Sequence, residues 1–171
     1  MPQLELVSPF SASAEQIREA RDTAELSCRA AVDDDERALH WRIRREVFVD
    51  EQRVFDREDL DGFDRRSDTV HALGLCGAVV AGTVRFYPLD EPGLWKGDRL
   101  AVLPPFRRFG LGGPLVRFAV RTAGALGGTQ MLAHIQPQNV AVFEHLGWSA
   151  TGPLIEYVGQ PHQQMRIALT P

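Results

Sequence analysis

The stretch Arg99-Leu-Ala-Val-Leu-Pro-Pro-Phe-Arg-Arg-Phe-Gly-Leu-Gly-Gly-Pro-Leu-Val-Arg-Phe118 constrains this chain more than any other segment. An apolar strand leads into a Pro turn, then an Arg- and Gly-rich loop, then a helix. With no Cβ atom at Gly110, Gly112 or Gly113, the backbone can curl close to a ligand and turn its N–H groups inward. The spacing predicts a helix starting near Gly113 and running to about Leu126, with Pro114 tolerated in its first turn and Gly127-Gly128 as its stop. Free N–H groups and the positive end of the helix dipole make a seat for phosphate. The predicted cradle is formed by Arg107, Arg108, Phe109, Gly110, Leu111, Gly112 and Gly113, with the two arginines adding charge at its rim.

Other phosphate loops fit less well. A Walker A loop ends in Gly-Lys-Ser/Thr, whereas Gly113 is followed by Pro114. A dinucleotide fingerprint needs G-x-G-x-x-G and an acidic residue about 20 residues on, and this chain has Ala and Gly there. What does fit is Arg/Gln-x-x-Gly-x-Gly/Ala, matched by Arg107-x-x-Gly110-x-Gly112 directly after Leu100-Ala101-Val102. That arrangement resembles the acetyl-CoA loop of the GNAT acetyltransferases. Asn139-Val-Ala-Val-Phe-Glu-His-Leu-Gly147-Trp148 resembles the second signature of that family, a short helix ending at Gly before an aromatic-led strand. Arg45-Glu-Val-Phe-Val-Asp-Glu51-Gln52, His71-Ala-Leu-Gly, Ala133-His134-Ile-Gln136 and Pro161-His162 resemble its ElaA-like branch. Gly93-Leu-Trp-Lys-Gly-Asp-Arg-Leu-Ala-Val102 and Tyr157-Val-Gly-Gln-Pro-His162 are most similar to a bacterial group labelled nitrogen-starvation N-acetyltransferase. The resemblance covers about residues 28–171.

The resemblance implies an α+β fold: one GNAT-like domain over residues 26–171 behind an N-terminal extension, 1–25. Its mixed central sheet would contain two splayed parallel strands, with helices on both faces. From the residues alone, strands are expected at Leu26–Val32, Thr69–Leu75, Val79–Tyr87, Arg99–Leu103, Met131–Gln136, Ile155–Val158 and Gln163–Leu169. A helix capped by Asp33, Asp34 or Asp35 carries the stripe Leu39, Ile43, Val47, and a second helix spans Asn139–Leu146. Asp50–Asp68 reads as a charge-rich loop, its acids and arginines a solvated mixed surface. A length of 171 residues suits one domain. No apolar run approaches the ~20 residues that span a bilayer, and no secretory signal is evident. Cys28 and Cys76 are few and lack metal-ligand spacing, so a reducing compartment, the cytoplasm, is expected. A net charge of −4 argues against nonspecific nucleic-acid binding.

The implied activity is acyl transfer from acetyl-CoA to the amine of a small molecule or peptide, with no metal. Nucleic acid and membrane are not expected partners, and a homodimer is left open. The pantetheine arm would lie along the backbone of Leu100, Ala101 and Val102, with the Val102 N–H available to a developing oxyanion. Asn139 would either bond the pantetheine or cap its helix. The family's tyrosine acid is replaced by Phe143, on the cofactor side, which has no proton to give. Tyr157, His134 or water could supply that proton, or none is needed. Candidates for the base are His134 and Glu51 ahead of His71 and His162. Arg85 is a candidate for a carboxylate on the acceptor, and His162 for a turn crossing the acceptor site. A CoA-binding domain without catalysis, regulatory or scaffolding, is the alternative.

Overall fold

The computed structural model describes residues 5–23 and 25–171. In chain order the elements are α1 Ala14–Thr23, β1 Leu26–Ala30, α2 Asp34–Arg44, β2 Val70–Cys76, β3 Val79–Pro88, β4 Leu94–Val102, α3 Gly112–Ala125, β5 Gln130–Ile135, α4 Val140–His145, β6 Ser149–Tyr157 and β7 Gln160–Ala168. All seven strands form one sheet, ordered β1-β2-β3-β4-β5-β7-β6. Every neighbouring pair is antiparallel except β4 and β5, which run parallel.

That parallel pairing covers only Leu94–Lys96 against Gln130–Leu132. Beyond it β4 bulges: Thr83 pairs Ala101 and Arg85 pairs Asp98, so Val84 alone faces both Arg99 and Leu100. A bulge bends its strand and strengthens the local twist, and here it turns β4 away from β5. Arg99 takes a left-handed φ of 52° at the bulge. The sequence reading starts this strand at Arg99, but it begins at Leu94. The polar residues Lys96, Asp98 and Arg99 had disguised its first half, although Asp98 and Arg99 are satisfied inside the protein.

Helix α3 lies on one face of the sheet with Leu111, Leu115, Val116, Ala119 and Ala123 buried. Its close approach requires Gly82, where a Cβ would stand 2.9 Å from the Ala101 carbonyl and 3.0 Å from the Leu115 side chain. Helix α2 is capped by Asp33, which accepts from the Glu36 N–H at 2.8 Å, and buries His40, Ile43 and Arg44. It continues into a π-helical segment, Arg45–Glu51, where the sequence offered only a continued stripe and then a loop.

Arg44 is fully buried and carries the largest correction to the sequence reading. Its guanidinium bonds Asp59 at 2.6 Å and Asp64 at 2.6 Å, tying the 53–69 segment to α2. Asp64 also meets His71 at 3.0 Å and Arg85 at 2.9 Å. Arg85 continues to Asp61 and Asp98, each at 2.7 Å, and Asp98 accepts from the Tyr87 hydroxyl at 3.0 Å. Arg99 closes the network on Asp59 at 3.2 Å and Asp61 at 3.3 Å. So Asp59 and Asp64 are not a solvated surface, and Asp61, though part-exposed, belongs to the same network. They are counter-ions for three arginines that hydrophobic packing has taken out of water. Burial raises the Asp64 carboxyl pKa, but hydrogen bonds from His71 and Arg44 outweigh it and hold the group far below the usual carboxylate range.

Asp64→Ala would leave Arg44 and Arg85 facing an unpaired position in a dry interior. It should cost about 3–5 kcal/mol of unfolding free energy, read from urea titration; a loss under about 1 kcal/mol would contradict the network's role. A carboxyl depressed in the folded state contributes stability fully above its unfolded value, near ~3.9. That contribution should fade only as pH falls below this value toward the folded pKa.

Candidate active site

Where β4 and β5 part, a passage runs through the sheet, enclosing about 190 Å³. Side chains alternate across a strand, so its walls come from both faces. Met131, Ala133 and Ile135 of β5 look toward α3, while His134 looks the other way, toward Tyr157 and His162. Phe48 of the π-helical segment and Gln52 just after it line the passage with Val54 and Phe55. Asn139, Phe143 and Trp148 also line it.

The His134 ring stacks on Tyr157 with centroids 4.6 Å apart, and Tyr157 meets His162 edge-on at 5.3 Å. Lys96 donates from Nζ to the Tyr157 hydroxyl at 3.3 Å and makes no ion pair among the described residues. The Nδ1 atom of His134 is buried with no hydrogen-bond partner. Burial, then the charges of Lys96 and His162, push the His134 pKa below the ordinary imidazole value. Near neutrality the ring is therefore an uncharged proton acceptor, with a nitrogen that no described residue engages. Tyr157 ends β6 at a two-residue turn in which Val158 (φ 48°) and Gly159 (φ 76°) are both left-handed. Such turns favour Asn-Gly or Gly-Gly. A β-branched residue there stores on the order of 1–3 kcal/mol of strain, and it places Val158 against the passage.

At the other end of the split stands the Gly-rich loop. Pro104–Phe109 forms a 3₁₀ turn closed by Gly110 at φ 75°, and α3 opens at Gly112 with no capping side chain. The first-turn N–H groups of α3, Gly112 and Gly113, have no intrahelical acceptor. Open space surrounds Gly110 and Gly112 where a Cβ would project. Past the bulge, Leu100, Ala101 and Val102 have no partner on β5. Asn139 makes no capping hydrogen bond, so the simple cap reading is not realised. Trp148 Nε1 is a buried donor without an acceptor. Free N–H groups, an open cradle and an unpaired strand edge fit an extended phosphate-bearing cofactor read through its backbone amides.

Four assignments change. Glu51 does not line the passage; its carboxylate pairs with Arg107 at 2.5 and 2.6 Å, and that hydrogen bond lowers its pKa, so it is no poised base. Arg107 is engaged by Glu51 and by the Val102 carbonyl, at 2.9 Å, so the cations at the loop without an ion pair among the described residues are Arg108 and Arg117. Arg117, missed in the sequence, lies with its guanidinium beside Gly113. Arg85 has no exposed surface and is saturated by Asp61, Asp64 and Asp98, so it cannot receive an acceptor carboxylate. His162 lies in strand β7 in the passage wall, and not in a crossing turn. Among the described residues no cluster of three or more His, Cys, Asp or Glu is placed to hold a metal ion.

Comparison with known proteins follows the same lines. The model of the Acetyltransferase (GNAT) family matches residues 21–148. A Bacillus subtilis protein assigned as an acetyltransferase is 32% identical over 133 residues, 76% of this chain and 89% of that one. A Lactobacillus plantarum protein assigned as an N-acetyltransferase superposes with a TM-score of 0.75 at 21% identity, covering 84% of this chain and 98% of its own. Escherichia coli ElaA superposes with a TM-score of 0.71 at 20% identity, over 83% of this chain and 97% of its own. These two share the fold.

The His134 ring should titrate below 6.5 when followed by imidazole carbon NMR. Lys96→Met removes one repelling cation and should move that midpoint upward; an unmoved midpoint would mean that the two side chains do not interact.

Proposed function

We propose that this chain, which belongs to the acetyltransferase (GNAT) family, transfers an acetyl-type acyl group from a CoA thioester to the amine of a small molecule or peptide. One observation carries the reading: the split in the sheet joins the open Gly-rich cradle to an uncharged, unpartnered imidazole. The N–H groups of Gly112 and Gly113, with Arg108 and Arg117, would hold the pyrophosphate. Leu100, Ala101 and Val102 would take the pantetheine as an added strand. The Asn139 carboxamide and the Trp148 indole N–H are free to bond its amides. The thioester supplies an electrophilic carbonyl and a sulfur leaving group.

The protein's own part is to orient and to move protons. Alkylamines are mostly protonated at pH 7, so the His134 imidazole takes the proton that makes the amine nucleophilic. The Val102 N–H, just past the bulge, faces the oxygen that gains negative charge. Phe143 cannot return a proton to sulfur. Tyr157 can: it accepts a hydrogen bond from Lys96, which leaves its own proton free to give. Phe48, Val54, Phe55 and Val158 make the acceptor side apolar and exclude water.

Thiol release from acetyl-CoA across a panel of amines and amino acids tests the reaction. His134→Ala should lower turnover by about 10²–10⁴-fold while CoA affinity holds. Full turnover in that variant would move the base elsewhere. Gly112→Asp offers a second check, because its side chain enters open space and an acid at a helix N-terminus does not harm the fold. Placed where phosphate must sit, it should weaken CoA binding by about tenfold or more in calorimetry. Unchanged affinity would remove the cradle from the account.

A further inference from the structure

Lys96 has hydrogen-bonding capacity that the reaction proposed above leaves idle. The residue is half-buried and sits at the last β4–β5 pair, opposite Leu132. Its Nζ donates one hydrogen bond, to the Tyr157 hydroxyl, and lies 4.8 Å from the centre of that ring. An ammonium carries three donors, and the others of Lys96 have no acceptor among the described residues. A charge withdrawn from bulk water in this way favours a counter-ion.

The neighbouring strands supply none. Leu132 is also the register partner of Arg166 on β7, so Lys96 and Arg166 flank it on one face of the sheet. Arg166 donates to the Gln130 carboxamide at 2.7 Å and makes no ion pair among the described residues. Strands β5 and β7 contain no acidic residue. The one acid of β6, Glu156, precedes Tyr157 and so points to the opposite face. Asp98 stands two residues along β4 on the Lys96 face, but its carboxylate already accepts from Arg85 and from the Tyr87 hydroxyl. His134, two residues past Leu132, opens onto this same face. The base therefore stands beside a patch of uncompensated positive charge.

We propose that Lys96 receives a carboxylate of the acceptor, so that the substrate is an amino acid, with amine and carboxylate on one small molecule. The proposal rests on the acyl-transfer reading above and narrows its acceptor. The Tyr157 ring centre lies 4.6 Å from that of His134 and 4.8 Å from Lys96 Nζ. A small molecule beside Tyr157 would thus present its amine to the imidazole and its carboxylate to the ammonium. The carboxylate takes the idle donors in charge-assisted hydrogen bonds, and the bond from Lys96 to Tyr157 stays in place. Arg85 cannot fill this role, because Asp61, Asp64 and Asp98 already surround it.

NMR titration of the full chain saturated with CoA, followed at the Lys96 side chain and the His134 ring, tests this without turnover. The probes are glycine, β-alanine, 4-aminobutyrate and 6-aminohexanoate, each paired with the amine that lacks its carboxylate: methylamine, ethylamine, propylamine and pentylamine. At the spacing that fits, the acid should bind about tenfold or more tightly than its amine, and the Lys96 and His134 signals should move together. Lys96→Met should bring the acid-to-amine ratio close to one, and Lys96→Arg should keep most of it. Lys96→Gln takes the place of the methionine variant if that one does not fold. Acids that bind no more tightly than their amines at any spacing would overturn the proposal while leaving the acyl-transfer reading intact. So would a preference that survives removal of the charge. A chain that does not bind CoA at all would overturn the underlying reading, and this one with it.

Discussion

The bulge at Arg99 and Leu100 is the constraint on which the rest of the structure depends. A regular β4 would have stayed paired with β5 along its length and sealed the sheet. With the bulge, the two halves are joined by three residue pairs and then part. Holding an arginine at a positive φ is unfavourable, so something must over-determine it. Asp59 and Asp61 take the Arg99 side chain, Phe55 lies under its guanidinium at 4.7 Å, and Asp98 before it is fixed by Arg85 and Tyr87. Ion pairs therefore set the bulge, the bulge opens the sheet, and the opening makes the site.

This ordering explains why so much charge is buried on one face. A buried ion pair rarely adds net stability over a well-packed apolar replacement, but breaking one is costly. The Arg44–Asp64–Arg85–Asp98 chain therefore acts by fixing geometry. It ties α2, the 53–69 segment, β3 and β4 into one arrangement and places Phe48, Gln52 and Phe55 over the passage. The two ends of the site are then held by different means. In the proposed reaction a loop with free N–H groups would serve the phosphate end, and the aromatic stack of His134, Tyr157 and His162 the acceptor end.

Much of this was legible in the residues. The Gly spacing after an apolar strand located the cradle and the start of α3 to within a residue, because glycine at such a turn has few other uses. Asn139 and Gly147 marked α4 for the same reason. The charged residues were misread. Arg85 stands between Val84 and Phe86 in a strand that is buried almost throughout, and the acids it needs lie 13 to 24 residues away. An arginine inside an apolar strand demands such partners, and that signal could have turned Asp61, Asp64 and Asp98 from surface charges into a network. The pairing of Lys96 with Tyr157 gave no local signal, since 61 residues separate them. The bulge was hidden for a similar reason: it depends on what side chains find in three dimensions.

Every role proposed for these residues depends on CoA occupying the split. Amide hydrogen exchange followed with and without CoA reads this directly, without an acceptor or a substitution. Binding in the split should slow exchange at Leu100–Val102 and at Gly110–Gly113 while leaving β1 and the outer edge of β6 unchanged. CoA that binds yet leaves those two segments exchanging at their free rates would contradict it.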